Sequence, residues 1–175
     1  MANTTTKKVT TKPVDEAPKA EVKREFAPDD NIKTVSVCAG ELLMVGKKTG
    51  ILYKWENYGD TAYVEYQDLK AEAYNSTSAY VYAPLFMIED EEVLNTREFV
   101  RAKEVYKNAI TAEEIDNFFN LTNQQFMSQL KKLPKSIQNT IKAVAVDKIN
   151  NGSLDSIQKI KILDEALGTD LYNLL

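Results

Sequence analysis

The apolar residues of this chain change their spacing once, near residue 88, and that change limits the folds open to it. Between Ile32 and Ile88 they alternate or run in short extended stretches; beyond Val93 they recur every three or four positions. The first spacing lines one face of a strand, the second one face of a helix. An α+β architecture follows, with a β-rich module over 29–88, a connecting helix over 89–110 and a helical module over 111–175. Residues 1–28 are rich in Thr, Lys, Glu and Ala and carry Pro13, Pro18 and Pro28. Such a segment buries too little apolar surface to offset its ordering entropy, so a disordered N-terminal tail is expected.

Within the first module, strands are expected at Ile32–Cys38, Leu42–Val45, Ile51–Glu56, Thr61–Tyr66 and Ala79–Ile88. Gly46-Lys47-Lys48-Thr49-Gly50 reads as a hairpin turn with a glycine at each end to take positive φ. Asn57-Tyr58-Gly59-Asp60 reads as a second turn, and Gln67–Tyr74 as a short helical turn. Ile51, Tyr53 and Trp55 share a face, which makes Trp55 the expected anchor of the core. Pro84 points to an edge or a bulge in the last strand. Strands, a short helical turn and a last strand, at this spacing, suggest a small SH3-like β-barrel or a curled antiparallel sheet.

The second half is punctuated as helices are. Glu89-Asp90-Glu91-Glu92 suits the acidic first turn of a helix, where it complements the helix dipole, and a helix is expected from Val93 to Ala109. Thr111-Ala112-Glu113-Glu114 and Thr122-Asn123-Gln124-Gln125 have the form of capping boxes. Pro134 opens a third helix of this module, running to Asn150, with Ile137, Ile141, Val144, Ala145 and Ile149 on one face. Asn151-Gly152 ends it. Ser153 is expected to cap a fourth helix, with Leu154, Ile157, Ile160, Leu163 and Leu167 inward and Gly168 as its stop.

Several function classes are closed by what the chain lacks. It has no histidine, which removes the commonest general base and the commonest transition-metal ligand and excludes Ser-His-Asp and Cys-His catalysis. Only carboxylate, Lys, Tyr or Ser chemistry is left, so no catalytic, cofactor-binding or metal-binding residue is expected. The one cysteine, Cys38, lies in an apolar stretch and reads as a buried, inert thiol. Phosphate-loop and dinucleotide fingerprints are absent. No apolar run approaches the roughly 20 residues needed to span a bilayer, and Met1–Thr11 lacks the apolar stretch of a secretory signal, which points to a protein made and assembled in the cytosol.

The remaining signal is aromatic. Residues 53–82 concentrate eight Tyr and Trp side chains, residue types enriched at the centres of protein interfaces. Residues 29–98 hold 6 basic against 13 acidic residues, a net charge of −7, which disfavours a base-stacking surface for nucleic acid. Lys47, Lys48, Tyr58, Tyr63, Tyr80 and Tyr82 are the candidate protein-interface residues. The alternative is a regulatory or nucleic-acid-binding adaptor, with a small barrel and the last two helices, across Asn151-Gly152, as a helix-turn-helix. The second of those helices carries Lys159 and Lys161 but also Asp155, Asp164 and Glu165, which is not a basic reading head.

A polar tail comes first, then a strand module with Gly-Lys-Lys-Thr-Gly-Ile-Leu-Tyr, then Leu-Phe-Met-Ile-Glu-Asp-Glu-Glu-Val, and last a helical end with Ile-Asn-Asn-Gly-Ser-Leu-Asp-Ser. In this arrangement, over Ile32 to Leu175, the chain resembles small virion-associated proteins of tailed bacteriophages. The resemblance implies a structural protein of the capsid or of the head-to-tail region. It implies many copies, other virion proteins as partners and a virion location after assembly in the host cytoplasm.

Overall fold

Five strands are expected, and five form, but β1 takes a partner on both of its edges. The computed structural model describes residues 24–175. β1 (Asn31–Ser36) pairs antiparallel with β4 (Thr61–Glu65), with Thr34 opposite Ala62, and with β5 (Phe86–Ile88), with Val35 opposite Met87. β2 (Leu42–Val45) and β3 (Leu52–Trp55) form a separate hairpin, with Val45 opposite Leu52 and Leu43 opposite Lys54. The sheets are therefore three-stranded, in the order β4-β1-β5, and two-stranded. Neither closes into a barrel. With both edges of β1 in use, the β2–β3 hairpin has no ladder to join there. It packs beside β4 instead, held by a side chain: the Glu65 amide donates to the Tyr53 hydroxyl at 3.3 Å.

The expected tail is corrected at its end. Residues 1–23 lie outside the described residues, but residues 24–28 belong to the fold. Phe26 stacks on Tyr66 with ring centroids 5.0 Å apart, and Arg24 lies 3.5 Å from Asp90 and 3.6 Å from Glu92. One large aromatic ring supplies the anchor that the surrounding composition lacks.

α1 (Tyr66–Tyr74) follows β4 without a loop. Residues 79–85, expected as strand, are turns: the Ser78 hydroxyl accepts from the Tyr80 and Val81 amides, and the Tyr82 amide donates to the Ser78 carbonyl. The connecting helix is two pieces, α2 (Glu91–Leu94) and α3 (Val100–Tyr106). Asp90 caps the first, accepting from the Glu92 and Val93 amides at 2.9 and 3.1 Å. Val93, Leu94, Phe99, Ala102 and Tyr106 are buried in the same cluster as Ile32, Trp55 and Phe86. These helices thus complete the first core rather than link two cores. Trp55 is 1% exposed and stacks on Phe86. Ile51, expected beside it, is 42% exposed because it belongs to the turn, where its carbonyl accepts from the Gly46 amide.

The second cluster comes from α4 (Ile115–Asn120), α5 (Asn123–Leu130), α6 (Lys135–Asn150), α7 (Ile157–Leu167) and a one-turn 3-10 helix, Leu171–Leu174. Thr122 and Gln125 form the expected capping box. Ile137, Ile141, Ala145 and Ile149 are buried as the periodicity of α6 requires, with Val144 half-buried. α7 starts later than expected: Ser156, not Ser153, accepts from the Lys159 amide, and Ile157 is exposed. Asn151-Gly152 forms a longer turn in which the Leu154 amide donates to the Lys148 carbonyl.

The two clusters meet at the end of β1. Val37 is buried among the helices, and Met87 packs against both clusters. The Thr140 hydroxyl on α6 donates to the Val37 carbonyl at 2.7 Å, and the Tyr58 hydroxyl donates to the Ile110 carbonyl at 2.8 Å.

Candidate interaction surface

The Lys-Lys turn is held from within by α1. Asp68 and Glu72 stand one turn apart on the face that also buries Leu69 and Ala73, and both acids are buried. Asp68 accepts from the Lys48 amide at 2.7 Å, the Thr49 amide at 3.3 Å, the Thr49 hydroxyl at 2.5 Å and the Tyr53 hydroxyl at 2.8 Å. Burial pushes its carboxyl up, but these four donors outweigh burial and hold it below the usual carboxylate range. Glu72 accepts from the Ser78 hydroxyl at 2.6 Å and pairs with Lys47 Nζ at 2.8 Å. Lys47, itself exposed, is thereby paired to a buried acid of the fold. Lys48 is exposed and has no ion-pair partner among the described residues.

The two glycines of that turn serve different ends. Gly50 has φ +74, as a tight turn requires. Gly46 has no positive φ, contrary to the expectation; it is needed because a Cβ there would lie 2.2 Å from Asp68 Oδ2.

The six candidate interface residues do not converge. Tyr58 is half-buried at the junction between the clusters, where burial pushes its phenol well above the ordinary range. Tyr80 packs on Phe86 and donates to the Leu43 carbonyl at 3.1 Å. Tyr82 donates to the Ala73 carbonyl at 2.6 Å and lies under the Arg101 guanidinium, 4.2 Å from its ring centroid. Tyr63, 60% exposed on β4, and Lys48 present themselves to solvent. Four of the six therefore make internal contacts. Cys38 is half-buried, with burial pushing its thiol up and a contact to the Ser36 hydroxyl opposing that.

The surface that sequence reasoning passed over lies on the outer side of the β2–β3 hairpin. Alternation sends Leu42, Met44, Tyr53 and Trp55 inward and leaves Leu43, Val45 and Leu52 facing out. With Ile51 they are 42–60% exposed. The base of the same face carries Glu41 and Glu56, both bound to Lys54 Nζ at 2.8 and 2.9 Å. Two acids around one lysine leave the base net negative, and they raise the lysine's pKa. The legible signal was Leu42-Leu43-Met44-Val45, four apolar residues in a row on a two-stranded element that can bury only one face.

No family model, curated protein or solved structure matches the chain.

A groove of about 700 Å³ lies between the three-stranded sheet and residues 103–113. Val35, Met87 and Leu94 line it, and the Lys33–Glu89 pair, at 2.7 Å, is on its wall. Tyr106 is also in its lining, but that hydroxyl is buried beside the Ile88 backbone without a hydrogen bond of ordinary geometry. The lysines of the supposed reading helix have other duties. Lys159 Nζ donates to the Phe119 carbonyl at the end of α4, and Lys161 lies over the Tyr172 ring. No helix among the described residues is long and apolar enough to cross a membrane.

Proposed function

We propose that this chain is a non-catalytic structural subunit that works by binding neighbouring subunits in a multi-copy assembly. The tailed-phage particle, in its capsid or head-to-tail region, is the setting that the sequence arrangement resembles. The observation that carries the reading is the exposed apolar face of Leu43, Val45, Ile51 and Leu52 on a rigidly supported hairpin. Contiguous exposed apolar side chains mark contact surfaces more often than chance. The hairpin is held from below by Trp55, by Tyr53 and by the four donors to Asp68, so the face is presented without ordering cost at the moment of contact.

The chemistry of the other polar clusters supports the same reading. Among the described residues, three carboxyls are held below their usual range: Glu98 by its pair with Lys70 at 2.8 Å, and Asp68 and Asp164 by hydrogen bonds that each fix a turn. Asp164 accepts from the Leu171 and Tyr172 amides and the Thr169 hydroxyl.

The test is sedimentation of a lysate from cells that make the native chain. The chain is expected to travel with discrete large particles through a density gradient and to stay with them after a salt wash. Recovery only in the light, soluble fractions would overturn the proposal. Tight, salt-sensitive binding to DNA would favour an adaptor instead.

A further inference from the structure

We infer that the exposed hairpin face docks on the same face of a second copy of this chain, with the two hairpins antiparallel about a two-fold axis. The inference rests on the reading above that the chain is an interaction subunit, and it names one neighbour.

The pattern of the face is self-complementary end to end. Along β2 the outward positions read Glu41, Leu43, Val45; along β3 they read Leu52, Lys54, Glu56. The register sets Val45 opposite Leu52 and Leu43 opposite Lys54. The base is therefore acidic, the middle apolar, and the tip ends in Lys48, which lacks an ion-pair partner among the described residues. A two-fold axis running across the strands places the tip of each hairpin against the base of its partner. Antiparallel packing brings the tip Lys48 of one copy to Glu41 and Glu56 of the other, twice, and stacks Val45 and Leu52 over Leu43 and the Lys54 stem. Parallel packing would set acid on acid at the base and lysine on lysine at the tip.

Face-to-face docking is preferred to edge pairing for a further reason. The outward carbonyl of Leu43, on the free edge of β2, already accepts from the Tyr80 hydroxyl at 3.1 Å. An added strand would have to displace that bond. Two four-residue strands also cover much less than the roughly 800 Å² per partner of a stable complex. The contact is accordingly weak between free subunits and is strengthened where an assembly holds the copies close.

The experiment is sedimentation equilibrium of the full chain from about 10 µM to 1 mM, with Val45→Asp, Lys48→Glu and the double variant Lys48→Glu/Glu41→Lys. Wild type is expected to show a concentration-dependent dimer. Val45→Asp should weaken association at least about tenfold, with circular dichroism confirming the fold. Lys48→Glu should weaken it by up to about fivefold. The double variant should recover most of that loss. Residues 41 and 48 stand at opposite ends of one hairpin, so a restored pair is intermolecular. Three results would overturn the inference: a wild type monomeric throughout, unchanged association of Val45→Asp, or no recovery in the double variant. The two readings separate cleanly. A monomeric wild type whose Val45→Asp variant is lost from particles removes only the self-contact; a dimer never found in particles removes only the assembly role.

Discussion

Gly46 lies against Asp68 so closely that a Cβ on Gly46 would be 2.2 Å from Asp68 Oδ2. The carboxylate cannot swing away without losing the two backbone and two hydroxyl donors that hold it. Gly46→Ala should therefore destabilise the protein by about 3 kcal/mol or more. Gly50→Ala, which strains only a positive φ, should cost about 1–2 kcal/mol. Urea midpoints of the two variants check the order. The reverse ranking would mean that backbone conformation, not the approach of Asp68, selects glycine here.

Asp68 also links stability to pH. Its folded carboxyl titrates below the ordinary value of 3.8, so the ionised form stabilises the fold. That contribution is fully present above the unfolded pKa and is lost as pH falls through the lower, folded value. Asp68→Asn should lower the melting temperature at pH 7. The gap to wild type should hold down to about pH 4 and close only below it. Melting curves from pH 2 to pH 7 test this, and a gap that does not vary with pH would contradict it.

The junction of the two clusters rests on few polar contacts. Thr140→Val leaves the Val37 carbonyl unpaired at a buried site and should cost about 1–3 kcal/mol. Tyr58→Phe removes a partly exposed bond to the Ile110 carbonyl and should cost about 1 kcal/mol. Equal, negligible effects of both changes would show that apolar packing at Val37 and Met87 alone joins the layers.

Because Val37 and Met87 tie the clusters together, the chain is expected to unfold as one unit. Trp55 reports on the first cluster by fluorescence, and far-ultraviolet dichroism is dominated by α4–α7 of the second. Ile141→Ala, fully buried in the second cluster, should cost about 2–5 kcal/mol. It should move both signals to the same lower midpoint, as Trp55→Ala should move the dichroism. A dichroism transition that shifts while Trp55 fluorescence stays in place would separate the clusters into independent units.

Local chemistry in the chain was enough to set its elements. Alternation placed β1 to β4, and Thr122 and Gly168 marked helix ends because caps act within a turn of the residues they serve. Trp55 and the buried stripe of α6 followed from periodicity alone. What tertiary structure decided were the relations between elements. Which strand edges meet depends on β1 being taken on both sides, and the break between α2 and α3 depends on Phe99 turning into the first core. Lys47, Tyr58, Tyr80 and Tyr82 looked free because their partners, Glu72, Ile110, Leu43 and Ala73, are distant in sequence or packed from another element. Conversely, residue type alone does not tell Leu43, Val45 and Leu52 apart from core residues. A two-stranded hairpin against a single core can bury one face only, and that geometry turned three apolar residues toward solvent.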